Sequence, residues 1–178
     1  MRNTAPMANL TPSLVDREAI RDKLFLYCRG VDRCDREALE QVYWPEAIND
    51  HGAFVASAPE FIDAVLAGVA GMVSSHRLAN ILFEPAGKDC VRVETYFEAM
   101  HLLDSSGDAH NWLLIGRYLD LFEKRSGEWR ILRRQLVVDL ERNEPATEPN
   151  RDFPMQEKSR GAHKPADPLY GFTASPLP

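Results

Sequence analysis

Cysteine is scarce in this chain, with 3 in 178 residues, and Cys28, Cys34 and Cys90 have no paired spacing. Such a set excludes a disulfide scaffold and reads as free thiols of a reducing compartment. No stretch gathers Cys or His at the close intervals of a zinc site, and no glycine-rich phosphate loop is present. Neither metal nor cofactor is expected. Basic residues are outnumbered, 21 Lys and Arg against 27 Asp and Glu, for a formal net charge of −6. That balance repels phosphate backbones and argues against a nucleic-acid partner. No apolar run approaches the roughly 20 residues of a membrane span. Residues 1–13 lack the apolar core of a signal peptide, so a cytoplasmic chain without a membrane partner is expected.

What is present suits one globular domain with a tail: 44% hydrophobic and 27% charged residues. Residues 1–13 read as a flexible N-terminal segment and 14–140 as the domain. Residues 141–178 carry seven of the twelve prolines and few large aliphatics, so they form no core of their own. Phe153, Leu169, Tyr170 and Phe172 could anchor them as an arm on a neighbour.

Within the domain, helical spacing comes first. Ile20, Leu24, Tyr27, Cys28 and Val31 share one stripe, with Asp16 as the expected N-cap and Gly30 near the helix end. Asp35 caps a short second helix whose stripe is Leu39, Val42 and Tyr43. Residues 48–54 read as a small hairpin, with Trp44 and Phe54 flanking it at the expected cavity entrance. Ser57-Ala-Pro-Glu60 is a capping box that opens a third helix, ending near Gly71. Four long strands follow, over 75–83, 90–103, 110–123 and 129–140, joined by Asp104-Ser-Ser-Gly107 and Lys124-Arg-Ser-Gly127 turns. Helices followed by a long antiparallel meander define an α+β fold, a curled sheet closed by three helices around a cone-shaped cavity.

Polar residues then stand on faces that should be apolar. Arg134 is expected among Leu132, Leu136, Val138 and Leu140, where a guanidinium must meet a carboxylate or line a wet cavity. His76 opens the first long strand, with Asn80 expected on the same face. Asp32 follows the first helix, and Tyr27 precedes it by five residues. A carboxylate on one imidazole nitrogen fixes the tautomer and supports the charge that forms when the other nitrogen takes a proton. Phenol and guanidinium supply hydrogen bonds where negative charge develops. Together Asp32, His76, Tyr27 and Arg134 suit abstraction of a carbon-bound proton. Alternation adds Phe97, His101 and Trp112 as wall residues, with His101 equally readable as a solvated strand end. His51 and His110 read as hairpin residues, and Arg117 should point outward to pair with Glu94.

Three segments carry a resemblance: DREAIRDKLFLYCRGVDRCDREAL, SSHRLANILFE and GRYLDLFEKRSGEWRILRRQLVVDL. From about residue 14 to 140 the chain resembles the SnoaL-like branch of the nuclear transport factor 2 superfamily. Its pattern is similar to those of bile-acid dehydratase, scytalone dehydratase and lindane dehydrochlorinase. The resemblance implies an Asp32–His76 dyad with the histidine as base, supported by Tyr27 and Arg134. It implies a cofactor-free lyase acting on a small hydrophobic substrate, cyclic or steroid- or polyketide-like, and a homo-oligomer, a homotrimer before a dimer. An isomerase or cyclase using the same dyad, a non-catalytic binding protein, and a structural subunit like the small subunit of ring-hydroxylating dioxygenases remain open alternatives.

Overall fold

The computed structural model describes residues 11–52, 54–105, 108–146 and 160–172. The tip of the Asp104–Gly107 turn, the Phe153 anchor and most of the N-terminal segment lie outside the described residues. The first helix, α1 (Leu14–Asp32), begins one turn earlier than the sequence suggests. Ser13 is the N-cap and accepts from the Asp16 backbone. Asp16 instead sits in the first turn, favoured there by the helix dipole, and accepts from Lys124 and Trp129, both at 2.7 Å. Gly30 does not end α1. It lets α2 (Arg36–Glu40) approach, since a Cβ there would lie 2.6 Å from a Leu39 methyl.

The hairpin runs through β1 (Tyr43–Asp50) and β2 (Val55–Ser57), and the capping box of Ser57 and Glu60 opens α3 (Ala58–Val69). The meander is β3 (Met72–Gly87), β4 (Cys90–Ser105), β5 (Asp108–Arg125) and β6 (Glu128–Pro145). One six-stranded sheet results, in the order β2-β1-β6-β5-β4-β3. All pairs are antiparallel except β1 with β6. Helix α1 touches both β3 and β6, and α3 touches β1, β2 and β3. The sheet therefore curls so that its two edges approach one another around the helices, as expected for the cone. Among the described residues no helix is long and apolar enough to cross a membrane.

Two bulges change which residues face inward. In β6 the register slips between Leu121–Arg133 and Phe122–Ile131, leaving Leu132 as the extra residue. The buried set is Trp129, Ile131 and Arg134, whereas Val138 and Leu140 are exposed at 44% and 47%. The apolar stripe expected around Arg134 thus keeps Leu136, which lines the cavity, but is broken before Arg134 by the bulge and lost beyond Leu136. In β3 the slip falls between Leu78 and Ile81. It turns Asn80 to the exposed side and brings Ile81 and Phe83 inward. Asn80 does not share the His76 face. A bulge adds one residue, and an alternating face cannot continue through it.

Part of the arm returns to the domain. Lys164 and Tyr170 both bond Asp35, at 3.0 and 2.8 Å, and Arg33 pairs with Asp167 at 3.4 Å. Leu169 and Phe172, expected anchors, stay exposed, and polar bonds do the anchoring. Asp35 also caps α2 by accepting from Ala38. Asp35→Ala should lower stability by about 1–2 kcal/mol and release the arm. Asp35→Asn, which keeps a cap acceptor, should lose less. Urea midpoints and protease sensitivity of residues 160–172 measure the two effects separately.

Candidate active site

Asp32 is the last residue of α1, and the start of β3 passes directly over it. Its carboxylate accepts from Ser74 Oγ at 2.8 Å, from the His76 backbone N–H at 2.9 Å, and meets His76 Nδ1 at 2.7 Å. Both side chains are nearly buried, at 6% and 11% exposure for His76 and Asp32. Burial pushes the Asp32 carboxyl up, but the bonds from His76 and Ser74 outweigh it and hold the group below its ordinary value. An ionised Asp32 requires the proton on Nδ1, which leaves Nε2 as the basic nitrogen.

His76 lines a cavity of about 230 Å³ inside the cone. Tyr27, Phe97, His101, Trp112 and Tyr118 share its walls with aliphatic residues of the helices and sheet. The sequence expectation left His101 open between wall and solvated strand end. It is 7% exposed, edge-on to His76 with ring centroids 5.4 Å apart. Burial, and then the neighbouring His76, hold its pKa down. Trp112 presents its ring, because its indole N–H is taken by Glu141 at 2.7 Å. Tyr27 stands edge-on to His76, and burial pushes its phenol up, so it is a proton donor at neutral pH.

Arg134 does not line this cavity. It is wholly buried behind the phenols, its guanidinium carbon 4.2 Å from the Tyr27 ring centroid and 4.1 Å from that of Tyr118. Asp120 receives it through two bonds of 2.7 Å, and Tyr43 OH lies 3.4 Å from Nη1. Burial works against both charges, and the paired bonds with Asp120 keep the guanidinium protonated. The carboxylate alternative foreseen for Arg134 is the one the fold adopts.

Trp44 and Phe54 lie away from the cavity. The Trp44 indole donates to the Glu123 carbonyl at 3.1 Å, and its ring carries Arg125 and Arg130. Phe54, 42% exposed, borders a surface depression with Glu60 and Asp63. His51, read as a hairpin residue, instead lines the cavity, stacked on Phe61 with centroids 4.7 Å apart. Arg117 points outward to Glu94 and Asp139, as expected for the former. A larger depression, about 450 Å³, lies on the outer sheet face between Leu82, Arg92, Leu119 and Arg133, remote from the dyad.

Asp120 and Ser74 went unremarked in the sequence, although each has a signal. Asp120 alternates with Tyr118 and Phe122, and Ser74 sits two residues before His76. No signal marks His51, because a turn has no periodicity. Among the described residues, no group of three or more His, Cys, Asp or Glu could hold a metal ion.

An α+β cone with a buried Asp–His pair at the wall of an apolar cavity defines the class. The chain belongs to the SnoaL-like domain family, whose model matches residues 12–135. No curated protein matches the chain. Among solved structures it is similar to a type 2 hexachlorocyclohexane dehydrochlorinase, with 20% identity, TM-score 0.68, and coverage of 77% of this chain and 94% of that one. A candidate scytalone dehydratase from Novosphingobium aromaticivorans has 22% identity and TM-score 0.66, covering 77% and 93%. A Nostoc punctiforme protein of unknown function with a cystatin-like fold has 17% identity and TM-score 0.60, covering 72% and 95%. At these identities the likeness is one of fold.

The site yields two expectations. Asp120→Asn leaves Arg134 buried without its counter-charge and should destabilise by about 3–5 kcal/mol. Adding Arg134→Met should recover much of that loss, as read from denaturant midpoints. His51 is held down to about 4 by burial, with Arg134 adding to the effect. The unfolded chain binds this proton near the ordinary value of 6.5, whereas the folded one does so only near 4. Stability is therefore complete above pH 6.5 and declines as pH falls toward 4. His51→Asn should reduce the stability difference between pH 7 and pH 4.5 by about 2 kcal/mol, measured by urea unfolding at both.

Proposed function

We propose that this protein is a cofactor-independent lyase that removes water, or a comparable leaving group, from a small apolar cyclic substrate. The observation that carries the reading is the 2.7 Å contact between His76 Nδ1 and Asp32, with the His76 ring at the cavity wall. His76 Nε2 takes a carbon-bound proton, and the C–H electron pair forms the new double bond. The adjacent C–O bond breaks, and the departing oxygen takes the proton from the imidazolium to leave as water. His76 is thereby returned to its starting state.

Asp32 holds the ring and supports its transient positive charge. Tyr27 donates to a substrate carbonyl or leaving oxygen, and the His101 ring beside His76 is a second group able to exchange a proton there. Arg134 acts as a positioning residue. Lying against the Tyr27 and Tyr118 rings, it fixes both phenols and eases negative charge near them. Phe97 and Trp112 supply the apolar walls that exclude water. Isomerisation begins with the same proton abstraction and differs in that the proton returns to another carbon and no leaving group departs.

Assay of neutral β-hydroxy ketones for enone formation tests the proposal. His76→Ala should lower kcat by a factor of about 100 or more. Asp32→Asn should lower kcat with little change in KM, because it alters the tautomer and not the walls. Parental turnover by His76→Ala would sink the assignment and leave a binding role for the cavity.

A further inference from the structure

The proposed chemistry leaves one polar residue of the cavity without a task. His51 follows the end of β1, at the sheet edge opposite to β3, which carries His76. Curling of the sheet brings both imidazoles to the same cavity. The His51 backbone is fixed by its N–H bond to the Phe54 carbonyl at 2.8 Å, and Gly52 N–H caps Asp50 at 2.9 Å. Its ring is clamped against Phe61 at an interplanar angle of 25°. Its Nδ1 is buried without a hydrogen-bond partner. A buried polar atom left unpaired costs about 1–3 kcal/mol, and a well-held one calls for an explanation.

Charge and size narrow what could satisfy this ring. Among the described residues no Lys, Arg, Asp or Glu side chain lines the cavity, since Arg134 and Asp120 are buried behind the phenols. Burial keeps His51 uncharged at neutral pH. An uncharged imidazole offers one donor and one acceptor and no attraction for a carboxylate or phosphate. The volume of about 230 Å³ is below the roughly 300–1,000 Å³ usual for drug-sized ligands. One ring or two fused rings fit such a space, and a four-ring skeleton exceeds it.

We propose that His51 is a specificity residue that hydrogen-bonds a second oxygen on a neutral one- or two-ring substrate, at the end remote from the carbons facing His76. This rests on the lyase reading for which end reacts, but not for the contact itself. The substrate then spans the cone, with its reacting end between Tyr27, His76 and His101 and its far hydroxyl or keto group at His51.

The test uses the full chain and matched cyclic β-hydroxy ketones, with and without a hydroxyl on the ring carbon farthest from the reacting pair. Binding is read by calorimetry and turnover by enone absorbance. The parent protein should bind the far-hydroxyl compounds about tenfold more tightly than their partners. His51→Phe should abolish that preference by weakening the far-hydroxyl compounds about tenfold relative to the simpler ones, and His51→Gln should retain part of it. His76→Ala should keep the preference and lose turnover. Absence of a preference in the parent, an equal loss for both compounds in His51→Phe, or binding of no compound in the set would overturn the proposal. A preference that persists while His76→Ala turns over normally would overturn the base assignment and leave the role of His51 standing.

Discussion

The buried pair of Arg134 and Asp120 is the constraint around which the inside of the cone is arranged. Two full charges, both without exposed surface, are held by bonds of 2.7 Å between neighbouring strands β5 and β6. An ion pair this deep is tolerated only where geometry is good and the remaining donors find partners. Tyr43 takes one donor, and the rings of Tyr27 and Tyr118, set edge-to-face with each other, both lie against the guanidinium. Those contacts draw α1, β1, β5 and β6 onto one point. The phenols form the floor of the cavity because the charge lies beneath them. Two apolar residues of equal volume could seal the same layer, but they would not orient the phenols.

Above that floor the strands impose a simple rule that the bulges then modify. Strict alternation in β4 turns Val93, Thr95, Phe97, Ala99 and His101 inward without interruption. Gly116 on β5 accommodates a close crossing, since a Cβ there would lie 2.1 Å from the Val137 carbonyl and 3.0 Å from the Phe97 ring. No other residue type fits. The crossing coincides with a register slip between Ile115 and Gly116. Such irregularities bend a strand and increase its twist, which long strands need in order to close into a cone. Curvature and side-chain placement are therefore the same event, and the slips that shape the cavity also decide which residues enter it.

That coupling explains what could be read from the sequence. Element types and order were legible because caps, turns and periodicities act over a few residues. Ser57 with Glu60, Asp35 before α2 and the Gly127 turn are local signals, and each coincides with its element. His76, Phe97 and Trp112 were legible as inward positions on intact strand periods, whereas Asp32 was expected just after the first helix and His101 was equally readable as a solvated strand end. Asn80 and the stripe around Arg134 were misread because alternation was carried through a bulge, where its phase reverses. Trp44 and Phe54 were misplaced because a hairpin's reach depends on how the sheet curls. His51 was overlooked for the same reason. Its place in the cavity that His76 also lines comes from curling of the sheet, which no window of neighbouring residues contains.

Asp32 breaks a local rule, and the breach is informative. A carboxylate at the last residue of a helix faces the negative end of the helix dipole, where a cation is favoured. Burial adds a desolvation penalty. Three donors offset these effects, two of them from His76 itself, through its backbone and its ring. Departures from local consistency that require such compensation concentrate at functional positions. Helix electrostatics alone disfavours this carboxylate, and β3 is the element that brings the compensating donors to it.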